Sequence, residues 1–249
     1  MLASLPQFFT YKSAADLIRV GRDYDGGYLV SHSDIKNSDL LISLGICDDW
    51  SFEMDFVKYN DVDVNAYDAS VNLRFWIKRT IMETLKNPFN LYPIRKLISY
   101  NYFFRGNKKH IKKFIGFDSK DKKYCTLSSI FDSINNQNIF LKIDIEGSEY
   151  RIFDTIIRYQ NRISGLVLEM HDCDLHMDAI ERFIDKLNLD IVHIHVNNHS
   201  PIRLDDSLPL ILEITFSKNC ASSDKTNLPH KLDMPNIKNQ PIINITFNQ

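Results

Sequence analysis

No glycine-rich phosphate turn occurs in this chain: its 8 glycines in 249 residues never form the three-glycine fingerprint that cradles a dinucleotide pyrophosphate. This disfavours a nicotinamide oxidoreductase. Long apolar runs are missing too, and none approaches the ~20 residues that span a bilayer. The start, from Met1 to Phe9, has neither a basic leader nor a long apolar core. The chain is therefore expected to be cytoplasmic, without stable membrane insertion, and the sequons at Asn198 and Asn244 carry no weight. Cysteine is sparse: Cys47, Cys125, Cys173 and Cys220 are never closer than 47 positions (220 minus 173). That spacing excludes a zinc-type or redox pair and suits reduced thiols. A net charge of -2 gives no global attraction to nucleic acid.

What is present is a recurrence of short apolar runs, at 40–46, 138–145, 163–170 and 190–196, with weaker ones at 63–68, 112–117 and 209–216. Each suits a buried strand. Helical stripes lie between them, clearest at Ile180, Phe183, Ile184 and Leu187 and at Ile152, Phe153, Ile156 and Ile157. Strand-helix alternation predicts an α/β fold, a doubly wound, largely parallel sheet with its ligands beyond the carboxyl ends of the strands. The length suits one domain over 1–249. Residues 74–113 break the alternation as a helical insertion with eleven basic residues against Glu83 alone, a net +10 that leaves -12 for the remainder. From Asn219 to the end at 249 the composition predicts an extended wrap, with a candidate edge strand at Ile242–Ile245.

The first strong strand ends in Ser43-Leu44-Gly45-Ile46, ahead of a helix-like stretch from Phe52 to Phe56. Glycine there lets the backbone approach a ligand, although a plain strand-to-helix turn reads the same way. The next strand ends at Asp68, 23 positions after Gly45, where an acid accepts hydrogen bonds from ribose hydroxyls. Together these favour an adenosine cofactor, and the missing pyrophosphate turn favours S-adenosylmethionine, which has no phosphate. Ser43, Gly45, Ile46, Asp68 and Ala69 are the candidate cofactor contacts. Two further strand ends carry Asp144-Ile145-Glu146 and Glu169-Met170-His171, each with its polar pair on one face. Adjacent carboxylates need a cation, metal or donor, and a histidine beside them can deprotonate a hydroxyl near neutral pH. His193-Ile194-His195 has no third metal ligand fixed by spacing. Asn197 and Asn198 are either donors to substrate hydroxyls or a turn.

These residues resemble the FkbM-type methyltransferases, a branch of the class I S-adenosylmethionine fold. The resemblance rests on Lys142-Ile-Asp-Ile-Glu-Gly-Ser-Glu149, Leu168-Glu-Met-His171, Asp25-Gly-Gly-Tyr28, Leu44 to Phe52, and Asp68-Ala-Ser70. It spans most of residues 20–217, and Leu232-Asp-Met-Pro-Asn236 looks like the closing stretch of relatives. The resemblance implies a Rossmann-like, seven-stranded sheet with its last strand antiparallel, and O-methylation, frequently of sugars. It puts Gly45 and Asp68 on the cofactor, Asp144 near its methionine end, and Glu146, Glu169 and His171 in the acceptor pocket, with Asp25 and Tyr28 beside them. His171 is the first candidate base and Asp144 the second. A divalent ion held by Asp144, Glu169 and His171 is the third option, and a non-catalytic scaffold is the rival class.

In the insertion, basic residues interleave with Phe75, Trp76, Phe89, Tyr92, Tyr100, Tyr102, Phe103 and Phe104. This pattern suits a small-molecule acceptor with phosphates and a base that stacks, a nucleotide-linked sugar of a cell-surface polysaccharide pathway, with Lys108 and Lys109 among its contacts. A protein, a lipid-linked or another small-molecule acceptor stays open. So does a helical cap or a homo-oligomer surface. Single-stranded nucleic acid and an anionic membrane match the same composition, but an acidic remainder repels both unless the patch is well isolated.

Overall fold

The computed structural model describes residues 2–86, 91–118, 120–220 and 227–248; Phe89 lies outside them. The chain begins with strand β1 (Leu2–Leu5), a hairpin of β2 (Leu17–Val20) and β3 (Tyr28–Ser31), and helix α1 (His32–Asn37). There follow β4 (Leu40–Leu44), α2 (Ser51–Tyr59), β5 (Asp63–Tyr67), α3 (Leu73–Lys86), α4 (Tyr92–Phe103) and β6 (Lys108–Ile111). After the short pair β7 (Phe114–Ile115) and β8 (Tyr124–Cys125) come α5 (Leu127–Asp132), β9 (Ile139–Ile143), α6 (Phe153–Tyr159), β10 (Ile163–Met170) and α7 (Met177–Lys186). The last elements are β11 (Asp190–Val196), β12 (Leu212–Ser217) and β13 (Asn244–Phe247).

Seven strands form one sheet in the order β11-β12-β10-β9-β4-β5-β6. Only β12 runs antiparallel to its neighbours. Every residue of β4, β9 and β10 is buried, which is why these strands read as continuous apolar runs. Helices cover both faces: Ile180 and Phe183 of α7 join one core with Ile156 of α6, and Phe52 and Phe56 of α2 join the other with Phe140. From β4 the chain moves outward through β5 to β6, then returns to lay β9 on the opposite side of β4. The topological switch point therefore lies between β4 and β9, where a crevice opens at the carboxyl ends.

Two sequence boundaries change. The segment 74–113 is not wholly an insertion, because Lys108–Ile111 forms the edge strand β6, paired with β5. Its lysines disguise it, as charged side chains are tolerated where one edge faces solvent. The weak run at 112–117 contributes only β7, outside the sheet. In the tail, β13 pairs in parallel with β1 rather than with the edge of the central sheet. Among the described residues no helix is long and apolar enough to cross a membrane.

Candidate active site

Gly45 follows β4 with a φ of +81°, and a Cβ there would stand 1.7 Å from the Asp144 carbonyl oxygen. No other residue fits this turn. The amides of Ile46 and Cys47 donate to Asp68 Oδ2 at 3.1 and 2.8 Å, while the Ser70 amide and hydroxyl donate to Oδ1 at 2.7 and 2.6 Å. Four donors fill the roughly four acceptor positions of a carboxylate, so Asp68 clasps the turn. Ala69 sits beside the cavity between Asp68 and Ser70 without lining it.

Beyond this turn lies a cavity of about 570 Å³, within the usual range for small-molecule sites. Gly45, Ile46 and Asp68 form one wall, Asp144 and Glu146 another, and the stacked rings of Phe117 and Tyr124, 4.7 Å apart, a third. Asp25 and Tyr28 reach it from the hairpin. Glu53 enters from α2, only 1% exposed. Its Oε1 accepts from the Ser43 hydroxyl, and its Oε2 has no hydrogen-bond partner among the described residues. Burial raises the Glu53 pKa, with Lys142 and Ser43 opposing. Seven carboxylates line the cavity against Arg22, Lys113 and Lys142, an imbalance that favours a cationic ligand.

Lys142 lies beneath, donating from Nζ to the Gly45 carbonyl at 2.5 Å and lying 3.5 Å from Asp144 Oδ2. Burial pulls its pKa down, but Asp144, Glu53 and Glu169 raise it further, so it stays charged. The Tyr28 hydroxyl donates to Glu169 Oε2 at 2.8 Å and lies 3.4 Å from Asp144 Oδ2. Burial, and then the charges of Asp144 and Glu213, hold Glu169 well above the usual carboxylate range.

His171 meets Glu149 Oε1 through Nδ1 at 3.2 Å, and its Nε2 lies 3.4 Å from Glu146 Oε2 and 3.7 Å from Glu169 Oε1. Burial lowers its pKa, but the hydrogen bond and charge of Glu149, then Asp144 and Glu146, outweigh it and the net shift is upward. With Nδ1–H committed to a fully buried carboxylate, Nε2 is the nitrogen left to accept a proton. Glu169 and His171 border the cavity behind Asp144 and Tyr28 rather than lining it. Asp144, Glu169 and His171 each offer one ligand atom, all within 4.8 Å of one another. Two carboxylate oxygens and an imidazole suit a divalent cation, which would also relieve the repulsion that raises Glu169.

Asn197 does not reach the cavity. Its side-chain amide donates to Glu169 Oε1 at 3.0 Å and Glu213 Oε1 at 3.4 Å, and Asn236 from the tail donates to the same Glu213 oxygen at 2.6 Å. His195 Nε2 pairs with Asn236 Oδ1 at 3.0 Å, and Asp233 Oδ1 lies 2.9 Å from His193 Nε2 and 3.7 Å from His195 Nδ1. A buried polar chain thus runs from Glu169 to the tail. Asn198 anchors that tail, accepting from the Ile237 amide at 2.9 Å and donating to the Pro241 carbonyl at 3.2 Å. Lys108 and Lys109 stand at the amino end of β6, the opposite end of the sheet, where Lys108 pairs with Asp61 at 2.8 Å. Of the lysines in 74–113, Lys113 lines the cavity.

The sequence motifs did not reveal Glu149 as the partner of His171, nor Lys142 beneath the turn, although both lie in the stretch Lys142–Glu149. A lysine inside an otherwise apolar strand was the available signal. Glu53 and Glu213 gave none, and the stretch holding Asp233 and Asn236 gave only a resemblance without partners, because their partners are distant in sequence.

Asp233 is held far below its ordinary pKa: burial raises it, but the neighbouring His193 and His195 prevail. Burial lowers His195, but Asp233 and Glu213 raise it more. A lowered acid stabilises the fold above its unfolded pKa of about 3.9, and a raised histidine does so below about 6.5. The pair therefore contributes most between roughly pH 4 and 6.5, fading as pH falls through the Asp233 value or rises through that of His195. Asp233→Ala is expected to lower the melting midpoint most in that window and least near pH 9, measured by scanning calorimetry. An equal loss at every pH would mean that charge plays no part.

In the sheet, the antiparallel strand β12 stands between β10 and β11, and the switch point falls at β4 and β9. The sheet is thus Rossmann-like and doubly wound, with the seven strands and the late antiparallel strand that the resemblance implies. Solved structures similar to this chain include the fibrillarin/Nop5p complex, at 11% identity over 73% of this chain and 73% of that chain with a TM-score of 0.37. Another is precorrin-6y C5,15-methyltransferase from Geobacter metallireducens GS-15, at 14% identity over 75% of this chain and 85% of that chain, also with a TM-score of 0.37. No family model matches the chain, and no curated protein does.

Proposed function

We propose that this chain is an S-adenosylmethionine-dependent O-methyltransferase of the FkbM type that acts on a sugar hydroxyl. The observation that carries the reading is an acid-lined cavity beyond the Gly45 turn, bordered by a histidine whose Nδ1 is committed to a buried carboxylate. Two features fit the cofactor. The Gly45 backbone admits no side chain, and Glu53 offers a carboxylate oxygen without a partner among the described residues, suited to an ammonium group. When bound, S-adenosylmethionine supplies an electrophilic methyl group on a sulfonium.

The chain's own residues do the rest. The turn and the Phe117–Tyr124 wall hold the adenosine, and Asp144 and Glu53 answer positive charge. His171 Nε2 takes the acceptor's hydroxyl proton as oxygen attacks, and Glu149 stabilises the imidazolium. Tyr28 keeps Glu169 in place.

The sugar reading rests on the resemblance. Its nucleotide-linked form has lost Lys108 and Lys109 as contacts, and seven lining carboxylates do not suit a diphosphate. Titration calorimetry with S-adenosylmethionine, followed by labelled-methyl transfer to a panel of free, nucleotide-linked and lipid-linked sugars, tests the proposal. Absence of binding heat would leave a non-catalytic scaffold.

The 4.8 Å triad supports a second reading, in which Asp144, Glu169 and His171 hold a divalent ion that acidifies the hydroxyl. In that case chelation abolishes transfer and added magnesium or manganese restores it, while cofactor affinity stays unchanged. Activity that survives chelation removes the metal.

A further inference from the structure

The outward faces of α3 and α4 are unlike the surface of a water-soluble helix. Their inward faces are fully employed: Trp76 of α3 and Tyr100 of α4 pack edge-on against Trp50 at 6.3 and 5.6 Å. On the opposite side of α3, Ile77, Ile81 and Leu85 repeat at i, i+4, i+8 and are 52, 55 and 81% exposed. On α4, Ile94, Ile98 and Tyr102 repeat at the same spacing and are 55, 64 and 66% exposed. Arg74, Lys78, Arg95 and Arg105 are exposed among these rows, whereas Glu83, the one acid of the two helices, is partly buried and pairs with Lys86 at 3.7 Å. A solvated cap carries polar residues on that face, so two parallel apolar rows flanked by cations call for a partner.

We propose that this face docks on an anionic lipid bilayer, with the helices lying in the interfacial plane and the aliphatic rows entering the acyl boundary. Helices of 14 and 12 residues extend only about 21 and 18 Å, too short to span but suited to lying flat. The basic residues complement acidic headgroups. A second copy fits poorly, because a two-fold contact would set the same cations against each other without acids to meet them. Single-stranded nucleic acid fits poorly too, because aliphatic rows give bases nothing to stack on. The acidic remainder is screened beyond about 10 Å, and acids of the loop beneath the helices are already paired: Asp48 with Arg79 at 3.0 Å and Asp49 with Arg22 at 2.9 Å. Since α3 and α4 rest on the 48–50 loop, part of which lines the cavity, docking brings the cavity close to the membrane surface. The inference goes beyond the methyltransferase reading and does not depend on it.

The test is co-sedimentation of the full chain with vesicles of phosphatidylglycerol and phosphatidylcholine, against phosphatidylcholine alone. Wild type binds the anionic vesicles preferentially, and less as salt is raised. Ile81→Ser with Ile98→Ser reduces the partition coefficient at least about tenfold, and Lys78→Glu with Arg95→Glu removes the preference for anionic lipid. All four positions are exposed, so both variants keep the wild-type circular dichroism melt. Equal binding to both vesicle types, or binding unaltered by either variant, overturns the proposal. So does a wild-type dimer, seen by light scattering, that becomes monomeric in the serine variant, since the face would then be covered by a second copy.

Discussion

Replacing His171 with Asn lowers turnover by about 10²- to 10⁴-fold, the usual contribution of a positioned general base, and leaves cofactor affinity at the wild-type value. The upward shift of the His171 pKa adds a pH signature. Only neutral imidazole accepts a proton, so wild-type kcat/KM climbs with pH along a limb centred above the ordinary 6.5. Glu149→Gln removes the buried charge that favours imidazolium, so its limb moves to lower pH, and His171→Asn has no such limb. A limb that survives in His171→Asn would transfer the base role to another group, with Asp144 next in line. Calorimetry on the same variants separates this loss from damage to the cofactor site.

Gly45→Ala has a different effect. The new methyl would meet the Asp144 carbonyl at 1.7 Å, in a backbone conformation with φ of +81°. That conformation alone costs an L-residue about 1–2 kcal/mol. Relief requires parting the ends of β4 and β9, which are joined there by the Asp144 amide donating to the Leu44 carbonyl at 2.9 Å. Binding of S-adenosylmethionine is expected to weaken by at least about tenfold, or ~1.4 kcal/mol, with a lower melting midpoint. Wild-type affinity in this variant would mean that the ligand sits elsewhere than at the switch point.

The strands of the core were legible because burial on both faces leaves a continuous apolar signature: 163–170 and 190–196 match β10 and β11 to the residue. The edge strand β6 was not legible, since Lys108, Lys109 and His110 break the apolar pattern and no residue of the strand is fully buried. The same asymmetry governs the site. Residues that follow strand ends, such as Gly45, Asp68, Asp144 and Glu146, could be placed by counting, and all four line one cavity. Those whose role depends on a partner far along the chain could not. Asn197 looked like an acceptor contact or a turn until Glu169 and Glu213 stood beside it. The two lysines at 108 and 109 were assigned by charge alone, which does not tell which end of a strand a residue occupies.

The pairing of β1 with β13 joins the beginning of this chain to its end, Leu2 opposite Asn244 and Leu5 opposite Phe247. Contacts of such high sequence separation form late in folding. During synthesis β1 must wait for its partner until residues 244–247 emerge. The tail that arrives with β13 also brings Asp233 and Asn236, which complete the polar chain behind Glu169. Assembly of the acid cluster is thus tied to the arrival of residues 233–247, and a chain clipped ahead of them would have its sheet but not its finished centre.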